Sequence, residues 1–463
     1  MTRADRLASL TPARWWLLLI SIALLTRLAW AAAMAPRQPY TDEVHYISHA
    51  RSLAEGKGYV DESGRPTAYW PVGYPALLSV FYRLGGESQA ANTILQIALG
   101  IATAVILAWL GTMAFGPRIG RSAALLLAIY PNHVFYSTLN LTEPLFCFFV
   151  TASAALLLRG SRAVDRAANQ VLPLASAGIA LGLGALVRPV LLLFPVVLPV
   201  WFWRLRWPMS KLLSQTALVA FGTLLTVGPW VLRNHAVTGA WFTISSTGGD
   251  NFWAGNYPGS LGGYAHPRQI NEQVRWGTGD DEAREYSLGL HAIAQQPARA
   301  FLRVFQKASY FFALETDGAL WNLKGFRQPP LLLAVVLLGL ANAAYLLVVT
   351  FAVLGIIRTP ARHPLLSLFL LLTGYLVLVT IVFFGDPRYH YALLPLALIF
   401  AVKGWLDGLP WLRKPFDIKD QQRRRQLAMW GAVVGCYLLL IAVNLVLKFL
   451  EFRQYVRISG KTI

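Results

Sequence analysis

The feature that most constrains this chain is a series of apolar stretches, each about 20 residues long, repeated along most of its length. A helix of about 20 residues crosses the hydrocarbon core of a bilayer, and lipid offers the backbone no hydrogen-bond partners, so the stretches are expected to be helices and not strands. A content of 56% hydrophobic and only 14% charged residues also excludes an ordinary soluble globular protein. The pattern predicts an all-α polytopic membrane protein with about eleven transmembrane helices, at approximately 13–34, 92–115, 122–138, 142–158, 172–187, 189–203, 212–231, 329–356, 364–384, 390–406 and 427–449.

Orientation follows from the basic residues of the short loops, because lysine and arginine favour the cytoplasmic side. In the eleven-helix arrangement they all fall on one side: Arg3, Arg6, Arg14, Arg118, Arg121, Arg159, Arg162, Arg166, Arg204, Arg206, Lys211, Arg358, Arg362, Lys414, Lys419, Arg423, Arg424 and Arg425. The N-terminus is therefore predicted inside, and the C-terminus and two long loops, 35–90 and 232–328, outside. Residues 1–412 form the predicted transmembrane core, and 413–463 a basic cytoplasmic loop and the last helix.

The basic character of the chain, with a formal net charge of +19, does not indicate a nucleic-acid partner. The positive residues flank membrane helices, where they meet anionic lipid headgroups. Cys147 and Cys436 both lie in apolar spans, which argues against a disulfide framework or a cysteine zinc site. A secretory signal ending at Ala33-Met34-Ala35 is an alternative for the first span, but Arg27 and Trp30 interrupt that pattern, so we expect a retained helix.

The first outer loop carries an acidic pair, Asp42-Glu43, directly after the first membrane helix. Residues 42–54 have helical character and 66–75 form a rigid aromatic segment, so the loop is expected to hold interfacial helices. Adjacent helical residues point about 100° apart, so the two carboxylates should not act as one interchangeable pair. Asp42 is a candidate general base at headgroup level; the alternative is a helix N-cap. His45 shares the face of Asp42, and its spacing to His49 would also allow two metal ligands.

Further charged residues reach the same predicted membrane face. Glu143 begins a helix in Thr142-Glu143-Pro144, where it either complements the helix dipole or completes an acidic site. Arg188, Arg233 and Arg388 follow or precede apolar spans, the last in the run Arg388-Tyr389-His390. An arginine fork matches phosphate oxygens, although each arginine could instead reach out to headgroups, the role we assign to Arg27. These residues are the predicted substrate-binding set.

The remaining sequence adds little specific chemistry. The outer segment 232–328 is rich in Gly, Asn, Trp and Tyr, a composition that suits a hydroxyl-rich ligand and an exposed loop equally well. The chain has no phosphate-cradling glycine loop and no Asp-x-Asp pair for a nucleotide sugar with its metal, so soluble nucleotides are not expected as substrates on this face. The chemistry expected of the site requires no cofactor and no metal ion. The spacing of Gly178 and Gly182 predicts close packing of two membrane helices.

Taken in order, these motifs resemble those of the GT-C superfamily, the integral-membrane glycosyltransferases that use polyprenyl-phosphate sugars. The nearest patterns are those of protein O-mannosyltransferases and lipid A aminoarabinose transferases. The resemblance covers about residues 15–405 and depends on Asp42-Glu43-Val44-His45, Thr142-Glu143-Pro144, Arg188-Pro189, Trp230-x-x-Arg233-Asn234, Ser246-Thr247-Gly248-Gly249 with Gly255-Asn256, and Arg388-Tyr389. Residues beyond 410 match nothing in the family.

The resemblance implies an inverting transfer of a sugar from a polyprenyl-phosphate carrier to a glycan, lipid or protein acceptor. Asp42 would be the base, with Glu43 or Glu143 orienting the acceptor or Asp42 itself. Arg388 would hold the phosphate, assisted by Arg188, Arg233 or His390, with Tyr389 and His45 also in the substrate site. The expected place is the outer face of a bacterial cytoplasmic membrane. The alternatives are a transporter or flippase of lipid-linked glycans, or a ligase of such glycans.

Overall fold

The computed structural model describes residues 11–35, 37–162, 168–239, 241, 244–264, 279–328, 330–412 and 420–459. Five of the basic residues that predicted orientation, namely Arg3, Arg6, Arg166, Lys414 and Lys419, lie outside these ranges. The described chain is helical, and its only β-type pairing is an isolated bridge between Val60 and Pro66. The helices are α1 Pro12–Met34, α2 Asp42–Ala54, α3 Gly73–Gly85, α4 Gln89–Phe115, α5 Pro117–Ile129, α6 Pro131–Phe135, α7 Glu143–Arg162, α8 Ala168–Val187, α9 Phe194–Arg204, α10 Met209–Thr238, α11 Thr247–Asn256, α12 Gly279–Gln295, α13 Pro297–Phe311, α14 Asp317–Lys324, α15 Leu331–Ile357, α16 Pro364–Val382, α17 Leu394–Lys403, α18 Leu409–Leu412 and α19 Gln421–Ser459.

Nine helical segments in the described ranges are long and apolar enough to cross a membrane, so the predicted count of about eleven is not confirmed. The two missing spans, predicted at 122–138 and 189–203, are each divided into shorter pieces. Pro131 separates α5 from α6, and a 3₁₀ turn at Pro189–Leu191 precedes α9, which holds Pro199 inside it. Proline removes a backbone donor and clashes with the preceding turn, which explains why neither segment is one long helix.

The chain nevertheless passes through the bundle at both interrupted segments. Before α4, Glu87 pairs with Arg51 of α2, and after α6 the backbone N–H of Asn140 donates to Glu43 of α2 at 2.8 Å. The chain therefore leaves the α2 region in α4 and returns to it through residues 117–138. Similarly, α8 ends beside α7, α9 leads away, and α10 returns to the first loop.

The two ends of the bundle differ in composition. One end collects the loops with Arg118, Arg162, Arg204 and Arg362; there Arg204 donates to the carbonyl of Ala361 at 3.0 Å. We call it the basic end. The opposite end, which we call the loop end, holds α2 and α3 together with α11 to α14. All the predicted short-loop arginines within the described ranges therefore lie at one end, as the orientation argument requires.

Close helix packing depends on small residues, as the sequence predicts for Gly178 and Gly182. A Cβ added to Gly178 would collide with the carbonyl oxygen of Val219 in α10, and one added to Gly182 would lie 2.9 Å from the carbonyl oxygen of Thr223. Glycine at both positions lets the backbones of α8 and α10 touch. The packing interpretation of this spacing is confirmed.

Arg27 does not extend toward the headgroups, so that expectation was wrong. Its side chain is fully buried in the bundle. One guanidinium nitrogen donates to the carbonyls of Ala23 and Ala128, each at 3.0 Å, and the other bonds Nδ1 of His133 at 3.0 Å. A buried charge needs such partners, and these bonds tie α1 to the junction of α5 and α6. Gly100 leaves the room for this side chain, since a Cβ there would lie 2.5 Å from Nε.

Candidate functional site

The two adjacent carboxylates of the first loop face different surroundings. The side chain of Asp42 is 31% exposed at the loop end. It borders the space between Asp42, Glu143, Arg188 and Arg388, which we call the recess. The side chain of Glu43 is fully buried: it pairs with Arg37 and accepts the backbone N–H groups of Tyr40, at 3.1 Å, and Asn140, at 2.8 Å. Glu43 therefore fixes where α2 begins, and Asp42 is the carboxylate that faces the recess.

The start of α2 is also strained. Thr41 precedes the helix with φ of 46°, a conformation that a β-branched residue rarely adopts. Asp42 is the first helical residue and not the N-cap, so the cap interpretation of this side chain is not supported. The bonds of Glu43 to its neighbours hold this local backbone in place, and strain of this kind is concentrated at functional sites.

A second carboxylate, Glu143, lies in the same recess at the start of α7. Arg188 donates through Nη2 to Oε1 of Glu143 at 2.6 Å and through Nε to the hydroxyl of Thr142 at 3.0 Å. The guanidinium of Arg188 also lies 5.9 Å from the ring centre of Tyr389. The carboxylate is 2% exposed, so its pairing with an arginine offsets the cost of burying its charge.

Arg388 joins the two carboxylates. Its Nη1 lies 3.9 Å from Oδ2 of Asp42 and 3.7 Å from Oε1 of Glu143. The opposite edge of the guanidinium is held by Asp386, which accepts from Nε at 3.2 Å and Nη2 at 3.1 Å and also caps the backbone N–H of Arg388 at 2.8 Å. Asp386 therefore orients the fork so that one nitrogen remains directed at the recess.

Helix α14 borders the other side of Arg388. The ring of Trp321 lies 5.8 Å from the guanidinium carbon. Burial, followed by the nearby charge of Asp386, raises the pKa of Asp317 to about 6, although Arg388 opposes the rise. Burial would also raise the pKa of Asp386, but Arg388 outweighs it and lowers that pKa. Asp386 thus remains the anionic partner of Arg388, while Asp317 binds a proton more readily than an ordinary aspartate.

Asp42 has the electrostatics of a proton acceptor. Burial in the recess is the main cause that raises the pKa of Asp42, Arg388 acts against it, and Glu143 adds to it. A carboxylate with a raised pKa is a stronger base than an ordinary surface aspartate, so it takes a proton from a hydroxyl more readily. The recess thus combines a basic carboxylate with two guanidinium groups.

Comparison with known proteins places this arrangement in a family context. The profile of the family described as dolichyl-phosphate-mannose-protein mannosyltransferase matches residues 16–245, about half of the chain. The oligosaccharyltransferase of Archaeoglobus fulgidus, in its apo form, superposes with a TM-score of 0.51 at 14% identity over 94% of this chain and 56% of that one. The matched family and this oligosaccharyltransferase are both GT-C enzymes, and the chain shares the fold of the latter.

A second solved structure is less similar to this chain. ArnT of Cupriavidus metallidurans, bound to undecaprenyl phosphate, superposes with a TM-score of 0.45 at 15% identity, over 85% of this chain and 77% of that one. The chain spans about half the length of the archaeal oligosaccharyltransferase. A comparison with curated proteins finds no significant match.

Three residues of the predicted site have their described contacts elsewhere. Arg233 donates to the carbonyls of Thr67 and Tyr59, which anchors the first loop to α10. His390 is buried and bonds the carbonyl of Phe311 at 2.6 Å. His45 lies 3.6 Å from Glu62 at the rim, where it stacks on an aromatic ring of the same loop. The structure thus brings together Asp42, Glu143, Arg188, Arg388 and Tyr389.

The two histidines of α2 have separate described partners. Nδ1 of His49 bonds the carbonyl of Val60 at 2.8 Å, and its ring stacks on Tyr59. In the described ranges no group of three or more His, Cys, Asp or Glu side chains is arranged to hold a metal ion.

Sequence analysis gave no role to three residues of the site: Asp386, Asp317 and Trp321. For Asp386 there was a signal, since Asp-Pro-Arg places a carboxylate two residues before an arginine and therefore within reach of it. Asp317 and Trp321 lie four residues apart on α14, so they share a helix face. No sequence pattern near them indicates that this face contacts Arg388.

Proposed function

We propose that this chain is a glycosyltransferase that moves a sugar from a polyprenyl-phosphate carrier to an acceptor, with inversion at the sugar carbon. The observation that supports this most directly is the position of Arg388. One guanidinium nitrogen lies within 4 Å of both Asp42, at 3.9 Å, and Glu143, at 3.7 Å, so a phosphate bound there would stand next to a candidate base. The description of the matched family, in which a dolichyl phosphate carries the sugar, supports the same class of donor.

In the proposed reaction the acceptor hydroxyl attacks the anomeric carbon. The bond from that carbon to the phosphate oxygen breaks, its electron pair passes to the phosphate, and the hydroxyl proton passes to the carboxylate of Asp42. A positioned base contributes about 10²–10⁴-fold to such a step. One displacement gives inversion, so no second carboxylate has to act as a nucleophile.

Arg388 and Arg188 are the proposed phosphate ligands. In the described structure Arg388 is shared by three carboxylates, those of Asp42, Glu143 and Asp386, and Arg188 is paired with Glu143. A phosphate would replace part of these pairings and gain charge-assisted bonds that strengthen as the leaving group becomes more negative. The aromatic ring of Tyr389 lies under Arg188, where it would also contact the donor. The scheme requires no metal ion and no cofactor.

The prenyl chain would extend from the recess toward the apolar interior of the bundle. A small apolar cavity between α7, α9 and α16 is lined by Val150, Leu191 and Leu368, among others. Val150 lies seven residues beyond Glu143 on α7, or about 10 Å along the helix at 1.5 Å per residue. That is the direction a lipid tail would take from a phosphate held at Arg188.

The acceptor would approach from the water side, past Asp42 and the rim residue His45. Its class is proposed as an envelope glycan, a lipid or a protein. The basic end of the bundle matches the cytoplasmic side, so the recess would open on the outer face of a bacterial cytoplasmic membrane. Glu43 would act by fixing α2, and Glu143 by holding both arginines.

Replacement of the proposed base tests this function. We expect Asp42→Asn to abolish transfer from a radiolabelled polyprenyl-phosphate sugar while the protein still folds and binds undecaprenyl phosphate. The matched control is Glu55→Gln, which removes an exposed carboxylate at the end of the same helix and should leave transfer unchanged. Transfer by Asp42→Asn at the wild-type rate would refute the role of the base. A flippase would instead move a lipid-linked glycan across the membrane of vesicles, and Asp42→Asn would leave that movement unchanged. A ligase would transfer preassembled glycans, and it would do so without Asp42.

A further inference from the structure

Lys307 is a buried cation that the proposed reaction does not use. It lies on α13 in the second outer loop and is 1% exposed. Its ammonium nitrogen donates to three acceptors: Oδ1 of Asn256 at 2.8 Å, the carbonyl of Ile381 at 3.1 Å and that of Val382 at 3.3 Å. A lysine has three donors, so every one of them has a partner here.

The carbonyls that Lys307 binds are at the C-terminus of α16. The last carbonyls of a helix have no partner within the helix, and the helix dipole makes this end negative, so a cation is favoured there. Asn256 reinforces the contact by donating from Nδ2 to the carbonyl of Val382 at 3.0 Å. Helices α11 and α13 of the outer loop therefore both hold the end of this membrane helix.

The contact continues along the chain toward Arg388. The N–H of Gly385 donates to the carbonyl of Gly262 at 2.8 Å, and a Cβ on Gly385 would lie 2.6 Å from the carbonyl oxygen of Lys307. A Cβ on Gly255 would collide with the carbonyl oxygen of Phe383. The backbone of residues 381–385 thus lies in close contact with the outer loop, while the side chain of Val382 is 43% exposed.

This packed segment ends where the candidate site begins. Asp386 follows it directly and holds Arg388 by its backbone N–H and its guanidinium. The position of Asp386 depends on the path of residues 381–385, because Pro387 limits the backbone on its other side. A shift of the segment would therefore move the arginine that faces Asp42.

We propose that Lys307 is a positioning residue that fixes the end of α16 and through it the orientation of Arg388 toward the donor phosphate. The proposal rests on the proposed function, since it assigns Arg388 to a phosphate ligand. It gives the second outer loop a role in donor binding at a distance from the phosphate. Lys307 itself is not expected to touch the donor.

The ammonium form of Lys307 depends on its oxygen acceptors. Burial, with a smaller contribution from Arg303, lowers the pKa of Lys307 to about 7. A buried lysine with only apolar neighbours would not be stable as an ammonium, so the three oxygen acceptors are what make its position acceptable.

Arg303 provides a matched control on the same helix. It lies one turn before Lys307, is 2% exposed, and donates to the carbonyls of Asn256, at 2.8 Å, and Pro258, at 3.4 Å. It thus binds α11 and the following turn, and its described contacts do not include the end of α16. Arg303→Met removes a buried cation from the outer loop without removing a described direct contact to the end of α16.

The test compares Lys307→Met, Lys307→Gln and Arg303→Met in the full-length protein, with undecaprenyl phosphate in detergent as the binding probe. Lys307→Met keeps the length of the side chain but removes its donors, and we expect Kd for the probe and KM for the donor to rise about 10–100-fold, the scale of a small misplacement. Lys307→Gln keeps two donors and should recover part of the loss. Arg303→Met should change either value by less than about threefold.

A double-mutant cycle with Arg388→Ala separates positioning from general stability. If Lys307 acts through Arg388, Lys307→Met should add almost nothing to Kd in the Arg388→Ala background. Fully additive losses, or equal losses from Lys307→Met and Arg303→Met, would overturn the inference. A wild-type chain that binds undecaprenyl phosphate but transfers no sugar would refute the proposed function alone, and the cycle on binding would still decide the role of Lys307.

Discussion

The carboxylate of Asp42 is controlled by two neighbours of opposite charge. Arg388 favours its ionised form and Glu143 disfavours it, while burial raises its pKa overall. As a base, Asp42 must be ionised before the acceptor arrives. Burial, followed by these charged neighbours, therefore sets the lower end of the pH range in which the proposed reaction can run.

The pH profile of kcat/KM gives a test with two opposite signs. We expect the wild-type rate to rise with pH through the raised pKa of Asp42, since the protonated form cannot accept a proton. Arg388→Gln removes a positive neighbour, so the acid limb should move to higher pH; Glu143→Gln removes a negative neighbour and should move it to lower pH. The position of the limb is compared and not its height, because both changes also weaken phosphate binding. Shifts in the same direction would contradict the assignment of the limb to Asp42.

The sequence could predict part of this residue-scale arrangement. Helical geometry separates Asp42 from Glu43 by about 100°, which agrees with their different surroundings. It could not tell which of the two faces the recess, because the partners of Glu43 come from Arg37 and, across the chain, from Asn140. The sequence placed Glu143, Arg188, Arg233 and Arg388 at one predicted membrane face. Arg233 does reach that face, but it donates to backbone carbonyls of the first loop. Contacts between distant segments decide these differences.

At the scale of elements, the prediction was most accurate for α2 and least accurate for the interrupted spans. The predicted helix 42–54 has the observed bounds, Asp42–Ala54. The spans 122–138 and 189–203 were treated as continuous because hydropathy counts apolar residues and ignores the backbone. Both contain prolines that divide them, and the second division falls directly after Arg188. The sharp turn there lets this side chain face Glu143 instead of the lipid.

Packing between α8 and α10 can be tested with a pair of glycines. Gly178→Ala would push a methyl group into the carbonyl oxygen of Val219, and because that oxygen belongs to a helix backbone the two helices must separate. We expect a loss of about 1–3 kcal/mol, seen as a lower midpoint of thermal unfolding in detergent. Gly228→Ala is the control, since a Cβ at this position of α10 meets no atom within 4 Å. A loss for Gly228→Ala that equals the loss for Gly178→Ala would show that the backbone contact is not the cause.

At the scale of the whole molecule, charge and chemistry are at opposite ends. The predicted short-loop arginines within the described ranges lie at the basic end, and the recess with Asp42 and Arg388 lies at the loop end. The sequence predicted this separation because the excess of lysine and arginine in short cytoplasmic loops does not depend on how the helices pack. The predicted number of membrane helices was less accurate than the predicted separation. A break divides a span into helices too short to be counted, but it does not change the side of the membrane on which the chain emerges.

Single-cysteine labelling tests which end faces the outside. In a background of Cys147→Ser and Cys436→Ser, we expect a membrane-impermeant maleimide to label Glu55→Cys and Arg299→Cys in intact spheroplasts. The exposed positions Arg118→Cys and Arg362→Cys at the basic end should react only after the membrane is opened, because they would face the cytoplasm. If only the basic end were labelled in intact spheroplasts, the orientation of the chain would be the reverse of the predicted one. Asp42 would then meet a cytoplasmic acceptor, which would refute the outer-face location while leaving the chemistry of the recess to be judged by Asp42→Asn.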